Sequence, residues 1–141
     1  MMEPIKIESN DLLVAEGQIP PDVPVVMLNL VTYHESVRYS DTDSCTGREA
    51  YLTRYAPAFR KATVAAGVSG IEVLYLGAFG ASIVPRQTRQ WDEVVLVRYP
   101  NFSAVRKVVE SPRYKAEAEP HRKLALKEWH FIATVPATRI S

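Results

Sequence analysis

Chemistry-bearing side chains concentrate near the C-terminal end of the chain, where Tyr114, His121 and Arg122 fall on one expected helical piece. Tyr114, Ala118, His121 and Ala125 recur at helical spacing, which puts the imidazole on the same inner stripe as the phenol. A histidine so placed acts as a general base or as a hydrogen-bond partner for a ligand in a helix-lined cleft, and His121 is the candidate catalytic residue. Its structural alternative is to bond a backbone carbonyl or a carboxylate and fix a bend at Pro120. Asn29 lies mid-strand, where an amide needs a partner across the sheet, in a second copy or on a ligand. Arg98 shares a strand with Asp92 and is read as a structural ion pair or an anion contact. Tyr75, on another strand, adds a phenol. The candidate ligand-binding set is therefore Asn29, Tyr75, Arg98, Tyr114, His121 and Arg122.

Other chemistries lack support. His34, His121 and His130 show no metal-ligand spacing, so neither a metal nor another cofactor is expected. Cys45 stands alone before a helix start, without a resolving cysteine, and reads as a surface-loop thiol. Gly77 and Gly80 lie within a strand run and make no dinucleotide fingerprint. The 17 Lys and Arg residues balance 16 Asp and Glu residues to a net charge of +1, which gives no field to draw in nucleic acid or an anionic membrane. No apolar run reaches the roughly 18 residues of a membrane span. A cytoplasmic address is the expectation.

Elements that position these residues follow from periodicity. Residues 1–24 read as an N-terminal arm with a strand or a helical turn near Asp11 to Glu16, ended by Pro20, Pro21 and Pro24. A domain over residues 25–136 follows, with a short tail at 137–141. Val25 to Tyr33 is the first strand, and 34–45 is a long polar loop. Thr46 and Glu49 spell a capping box that opens a helix with a buried stripe of Tyr51, Tyr55, Ala58, Phe59 and Ala62, kinked at Pro57 and stopped at Gly67. Ile71 to Phe79 is a second strand, extended by residues 81–84 past a bulge at Gly80. Residues 85–90 turn into a third strand, Trp91 to Tyr99. Asn101 caps a helix with Phe102, Val105 and Val109 inside, Ser111 and Pro112 restart it, and Trp129 to Val135 is the last strand.

The order βαββαβ is that of an α+β, ferredoxin-like antiparallel sheet with both helices on one face. Alternation assigns Val26, Leu28, Leu30, Val73, Tyr75, Val95, Val97, Tyr99, Phe131, Ala133 and Val135 to the covered face. The other face, with Met27, Asn29, Val31, Leu74, Leu76, Val94, Leu96 and Ile132, is too apolar for water and implies a homodimer packed sheet to sheet.

The ordered set MLNL, GREAYLTRYA, VLYLG, WDEVVLVRYP, SPRY, PHRKLAL and FIATVP resembles the domain-of-unknown-function 1330 family over residues 25–136. That resemblance implies a dimeric α+β barrel; its superfamily includes cofactor-independent monooxygenases, muconolactone isomerases and haem-dependent peroxidases, and so selects no chemistry. Three readings follow. The first is a small organic molecule held in a pocket between sheet and helices. The second is a cofactor-independent enzyme of the monooxygenase or isomerase type in the same pocket, with His121 as base and Asn29 or Arg98 stabilising an oxyanion. The third is a structural or interaction protein with a filled core.

Overall fold

A computed structural model describes residues 5–86 and 91–137. Residues 87–90, the last four of the expected turn, and 1–4 and 138–141 at the ends lie outside the described residues. The main sheet is antiparallel, in the order β4-β5-β1-β6, with β1 at Val25–Tyr33, β4 at Glu72–Ala78, β5 at Glu93–Tyr99 and β6 at Leu126–Thr134. This is the ferredoxin-like α+β arrangement, with the helical connections crossing one face.

The first crossover starts at the capping box: Glu49 N donates to Thr46 Oγ1 at 3.0 Å and Thr46 N donates to Glu49 Oε1 at 2.9 Å. The helix then runs through α2 (Gly47–Ala50), a π-helical turn (Tyr51–Tyr55) and α3 (Ala56–Ala65). Gly47 is required where it stands, since a Cβ there would lie 2.3 Å from His34 O and 2.8 Å from Ala125 O. Gly67, at φ +71°, ends the helical path in the left-handed region that glycine tolerates. The second crossover runs through α4 (Phe102–Val109), capped by Asn101, then Ser111, a second π turn (Tyr114–Ala118) and α5 (Glu119–Ala125).

Both π turns precede a proline by the same interval. Pro57 and Pro120 each occupy the second residue of the α segment that follows. A proline donates no hydrogen bond and presses on the carbonyl four residues back, and a widened turn accommodates it without breaking the helix. In both turns the first residue is a tyrosine whose carbonyl accepts from the N–H five residues on: Ala56 to Tyr51, and Glu119 to Tyr114. The kinks expected at Pro57 and Pro120 are thus absorbed as π turns.

That extra residue shifts the phase of the following helix. Tyr114, Ala118, Arg122 and Ala125 are the buried positions, and His121 is only half-buried.

Strand faces depart from expectation in two places. In β1 the buried residues are Val25, Met27, Asn29 and Val31, so Val26, Leu28 and Leu30 face away from the helices. Both faces of β1 are apolar through Val31 apart from Asn29, which points inward because it finds partners there. In β4 an irregularity between Val73 and Tyr75 resets the register, so Tyr75 pairs with Leu96 on the outer face and Leu76 turns inward beside Val95. Residues 81–84 form no strand.

Residues expected as an arm are packed on the body. Helix α1 (Ser9–Gln18) buries Leu12, its Glu16 pairs with Arg106 at 2.8 Å, and Ile5, Ile7 and Leu12 cover Met27, Phe131 and Ala133 at the β6 side of the sheet. The polar segment 34–45 also folds: β2 (Val37–Arg38) pairs with β3 (Ser44–Cys45).

Candidate functional site

Between the β4-β5-β1 side of the sheet and the two crossovers lies a cavity of about 580 Å³, within the usual range for small-molecule sites. Phe59, Leu76, Val95, Val97, Val109 and Phe131 supply apolar wall, and Arg60, Thr63 and Glu72 stand at the mouth. The mouth opens between α3 and β4. Val73 is 61% exposed and Leu76 42% exposed, although both line the cavity. Apolar side chains left in contact with solvent inside a concave surface are unfavourable when the cavity is empty, and burying them against a ligand removes that cost.

Polar groups gather at the inner end. Tyr51, Tyr55, Tyr99 and Tyr114 line the cavity, and all four are buried. Tyr51 stacks on Tyr55 with ring centroids 5.0 Å apart, and Tyr55 meets Tyr114 edge-on at 6.2 Å. Their hydroxyls lie 2.9 Å apart. Behind them Arg122, 1% exposed, donates from Nη1 to the Tyr114 hydroxyl and from Nη2 to Ile5 O at 3.3 Å, while its guanidinium lies over the Trp129 ring at 4.6 Å. Arg122 Nε is buried without a hydrogen-bond partner among the described residues. Burial raises the pKa of all four phenols, and the Arg122 charge opposes the rise at Tyr51, Tyr55 and Tyr114. Each stays a protonated donor at neutral pH.

Asn29 also lines the cavity, but its amide is committed. It donates to Met27 O at 3.3 Å and Val95 O at 3.2 Å, and accepts from Trp129 Nε1 at 2.9 Å. These bonds tie three strands together and satisfy the buried amide of Asn29.

Of the residues singled out from sequence, Asn29 and Tyr114 stand at the cavity, with Arg122 directly behind Tyr114. Tyr75 does not: the β4 irregularity turns it to the outer face, 57% exposed. Arg98 is exposed on that same face, opposite Glu72 and Val26. Asp92, its expected partner, accepts from Tyr33 N at 2.9 Å. His121 is absent from the cavity lining, because the π turn rotates it toward the segment 34–45, where its Nδ1 lies 2.8 Å from the Tyr39 hydroxyl. Arg54 stacks over Tyr39 at 4.0 Å to the ring centroid and binds Asp43 through two bonds of 2.9 and 2.6 Å. Burial and the nearby Arg54 lower the His121 pKa. This cluster fastens the segment 34–45 to the helices. Sequence reading placed Tyr51, Tyr55, Phe59 and Tyr99 only in the core; the signal it took for simple kinks is the pair of prolines, each six residues after a tyrosine.

A buried carboxylate, Glu93, sits apart from the cavity lining. It accepts from Tyr33 Oη at 2.7 Å and from Arg48 at 2.9 and 3.2 Å. Paired on both oxygens, it joins α2 to β1 and β5.

No family model matches the chain, and no curated protein matches it. Among solved structures it is similar to RPA0582 from Rhodopseudomonas palustris, described as a protein of unknown function, with 24% sequence identity, a TM-score of 0.77, and coverage of 98% of this chain and 100% of that chain. The crystal structure of methylated RPA0582 matches at 25% identity and a TM-score of 0.77, over 98% of both chains. The likeness extends over nearly the whole α+β fold. Among the described residues, no helix is long and apolar enough to cross a membrane.

Proposed function

We propose that this protein binds a small, largely apolar organic molecule in the cavity between its sheet and its helices. The observation that carries the reading is the cavity itself: about 580 Å³, walled by aliphatic and aromatic side chains, with Val73 and Leu76 exposed at its mouth. A protein with a purely structural role has no need of such an opening, and filling it would stabilise the fold. The enzymatic alternative, with His121 as base and Asn29 or Arg98 as oxyanion partner, is less well supported: His121 and Arg98 do not line the cavity, and the Asn29 amide, which does, already donates to Met27 O and Val95 O.

The same reading takes the chain to be a homodimer. Val26, Leu28, Leu30, Val94 and Leu96 are half-buried on the outer face and Ile132 is 45% exposed there, an apolar surface suited to a second copy related by a two-fold axis. The ordered motifs that resemble the domain-of-unknown-function 1330 family support placement near that family, and the α+β fold accords with a dimeric α+β barrel. A cytoplasmic setting agrees with the single, free Cys45.

The test is saturable binding of N-phenyl-1-naphthylamine, a neutral apolar probe that fluoresces when removed from water. One site per chain is expected, and it should be lost in Thr63→Trp, which fills the mouth at a half-buried position. Absence of saturable binding by the wild type, or full binding by a folded Thr63→Trp, contradicts the reading.

A further inference from the structure

The hydrogen bonds at the inner end of the cavity restrict what a ligand must present there. Arg122 has only donors, so the Tyr114 oxygen accepts from Nη1. Tyr55 and Tyr114 then share one hydrogen bond between two hydroxyls, and together they own two protons. Whichever phenol donates to the other, one proton remains. Neither tyrosine hydroxyl has another hydrogen-bond partner among the described residues, and both side chains line the cavity. Among the described residues, therefore, no acceptor takes this proton.

Charge is uncompensated at the same end. Glu119 lies 3.5 Å from Arg122 and also 3.5 Å from Lys123, so one carboxylate serves two cations. The trio keeps one net positive charge, and the guanidinium is the buried member, with Nε unpaired. A neutral hydroxyl between a buried cation and an acceptor becomes a stronger donor, because the cation polarises its oxygen and the low local dielectric preserves the effect.

Resting on the ligand-binding reading above, we propose that the ligand is an acid: an apolar, ring-sized body with one anionic oxygen group, a carboxylate or the enolate or phenolate of similar shape. Its oxygen accepts from the free phenolic proton of the Tyr55–Tyr114 pair, while Arg122 acts on it through Tyr114 without touching it. Arg122 is a positioning residue. The apolar body occupies the space toward Phe59, Val97 and Leu76.

Displacement of N-phenyl-1-naphthylamine by 1-naphthylacetate and by 1-naphthylacetamide tests this, since the two competitors have nearly the same shape and differ in charge. The acid should compete about tenfold or more better than the amide, the scale of one charge-assisted hydrogen bond. That preference should collapse to within about threefold in both Tyr55→Phe and Tyr114→Phe, while affinity for the neutral probe is retained. Arg122→Met has the weakest claim to fold, so the two phenylalanine variants carry the test, with circular dichroism as the check on each. Equal competition by acid and amide in a wild type that binds the probe overturns the acid assignment and leaves the binding reading standing. A preference that survives intact in both variants also overturns it. Failure of the wild type to bind the probe removes the binding reading and the acid assignment with it.

Discussion

The hydroxyl of Tyr55 lies 2.9 Å from that of Tyr114, and the two residues, 59 positions apart in the chain, come from two separate π turns. Each turn precedes a proline, and each carries a buried tyrosine into the same space. A π turn inside a helix is costly in hydrogen-bond geometry and is found most often where function requires a side chain to be re-aimed. Here two of them converge on one cavity wall. Replacing Pro57 or Pro120 by Ala is expected to let the local helix relax toward α geometry, withdraw one phenol, and lower probe affinity while raising helix content. Circular dichroism and titration on the same sample check both effects.

Tyr114→Phe should cost stability as well as selectivity. It leaves the buried Arg122 Nη1 without an acceptor, a loss of about 1–3 kcal/mol. Tyr55→Phe removes one bond between neutral groups and should cost about 0.5–1.5 kcal/mol. Urea denaturation of the pair gives the order, and a larger loss at Tyr55 would contradict the direction assigned to the chain from Arg122.

At the other end of the first crossover, Thr46→Ala removes the capping box and is expected to destabilise by about 0.5–2 kcal/mol. Sedimentation of this variant should match the wild type. An unchanged melting temperature would mean that the box contributes nothing to the helix start.

His121 is expected to act on stability and not on binding. Its pKa is lowered in the folded protein, first by burial and then by Arg54, so the unfolded chain binds more protons near pH 6.5. Its contribution is complete above that ordinary value and is lost as the pH falls through it, levelling off below the folded pKa. His121→Asn should therefore flatten the melting-temperature profile between about pH 7.5 and 5 and leave probe affinity unchanged. A large loss of affinity with an unchanged profile would return the imidazole to the site.

Ile132→Lys, alone or with Leu96→Lys, should dissociate the proposed dimer by placing charge on the outer sheet face, with the monomer seen by sedimentation. A wild type that is monomeric at micromolar concentration rejects that interface outright.

What the sequence made legible was local. The Thr46–Glu49 box, the Asn101 cap, the Gly67 stop and the strand order follow from residue types at fixed spacing, and all stand in the structure. Wherever phase decided the outcome, the reading depended on one residue. Val25 to Val31 is apolar on both faces, so alternation carried no sign, and Asn29 pointed inward because Met27, Val95 and Trp129 satisfy it. One irregular residue in β4 exchanged Tyr75 for Leu76 at the cavity. One extra residue in the turn at Tyr114–Ala118 exchanged His121 for Arg122. Periodicity assumes a constant number of residues per turn, and the site is built where that number changes.

Trp129 lines the cavity, whereas Trp91 stands at the other side of the sheet beside Thr32 and His130. In Trp91→Phe the remaining indole is the one that lines the cavity, and its emission overlaps the absorption of N-phenyl-1-naphthylamine. Titration should quench Trp129 saturably, with one probe per chain, and 1-naphthylacetate should restore the emission. Quenching that rises linearly without saturation, or none at all in the folded protein, would contradict a ligand site between the sheet and the helices.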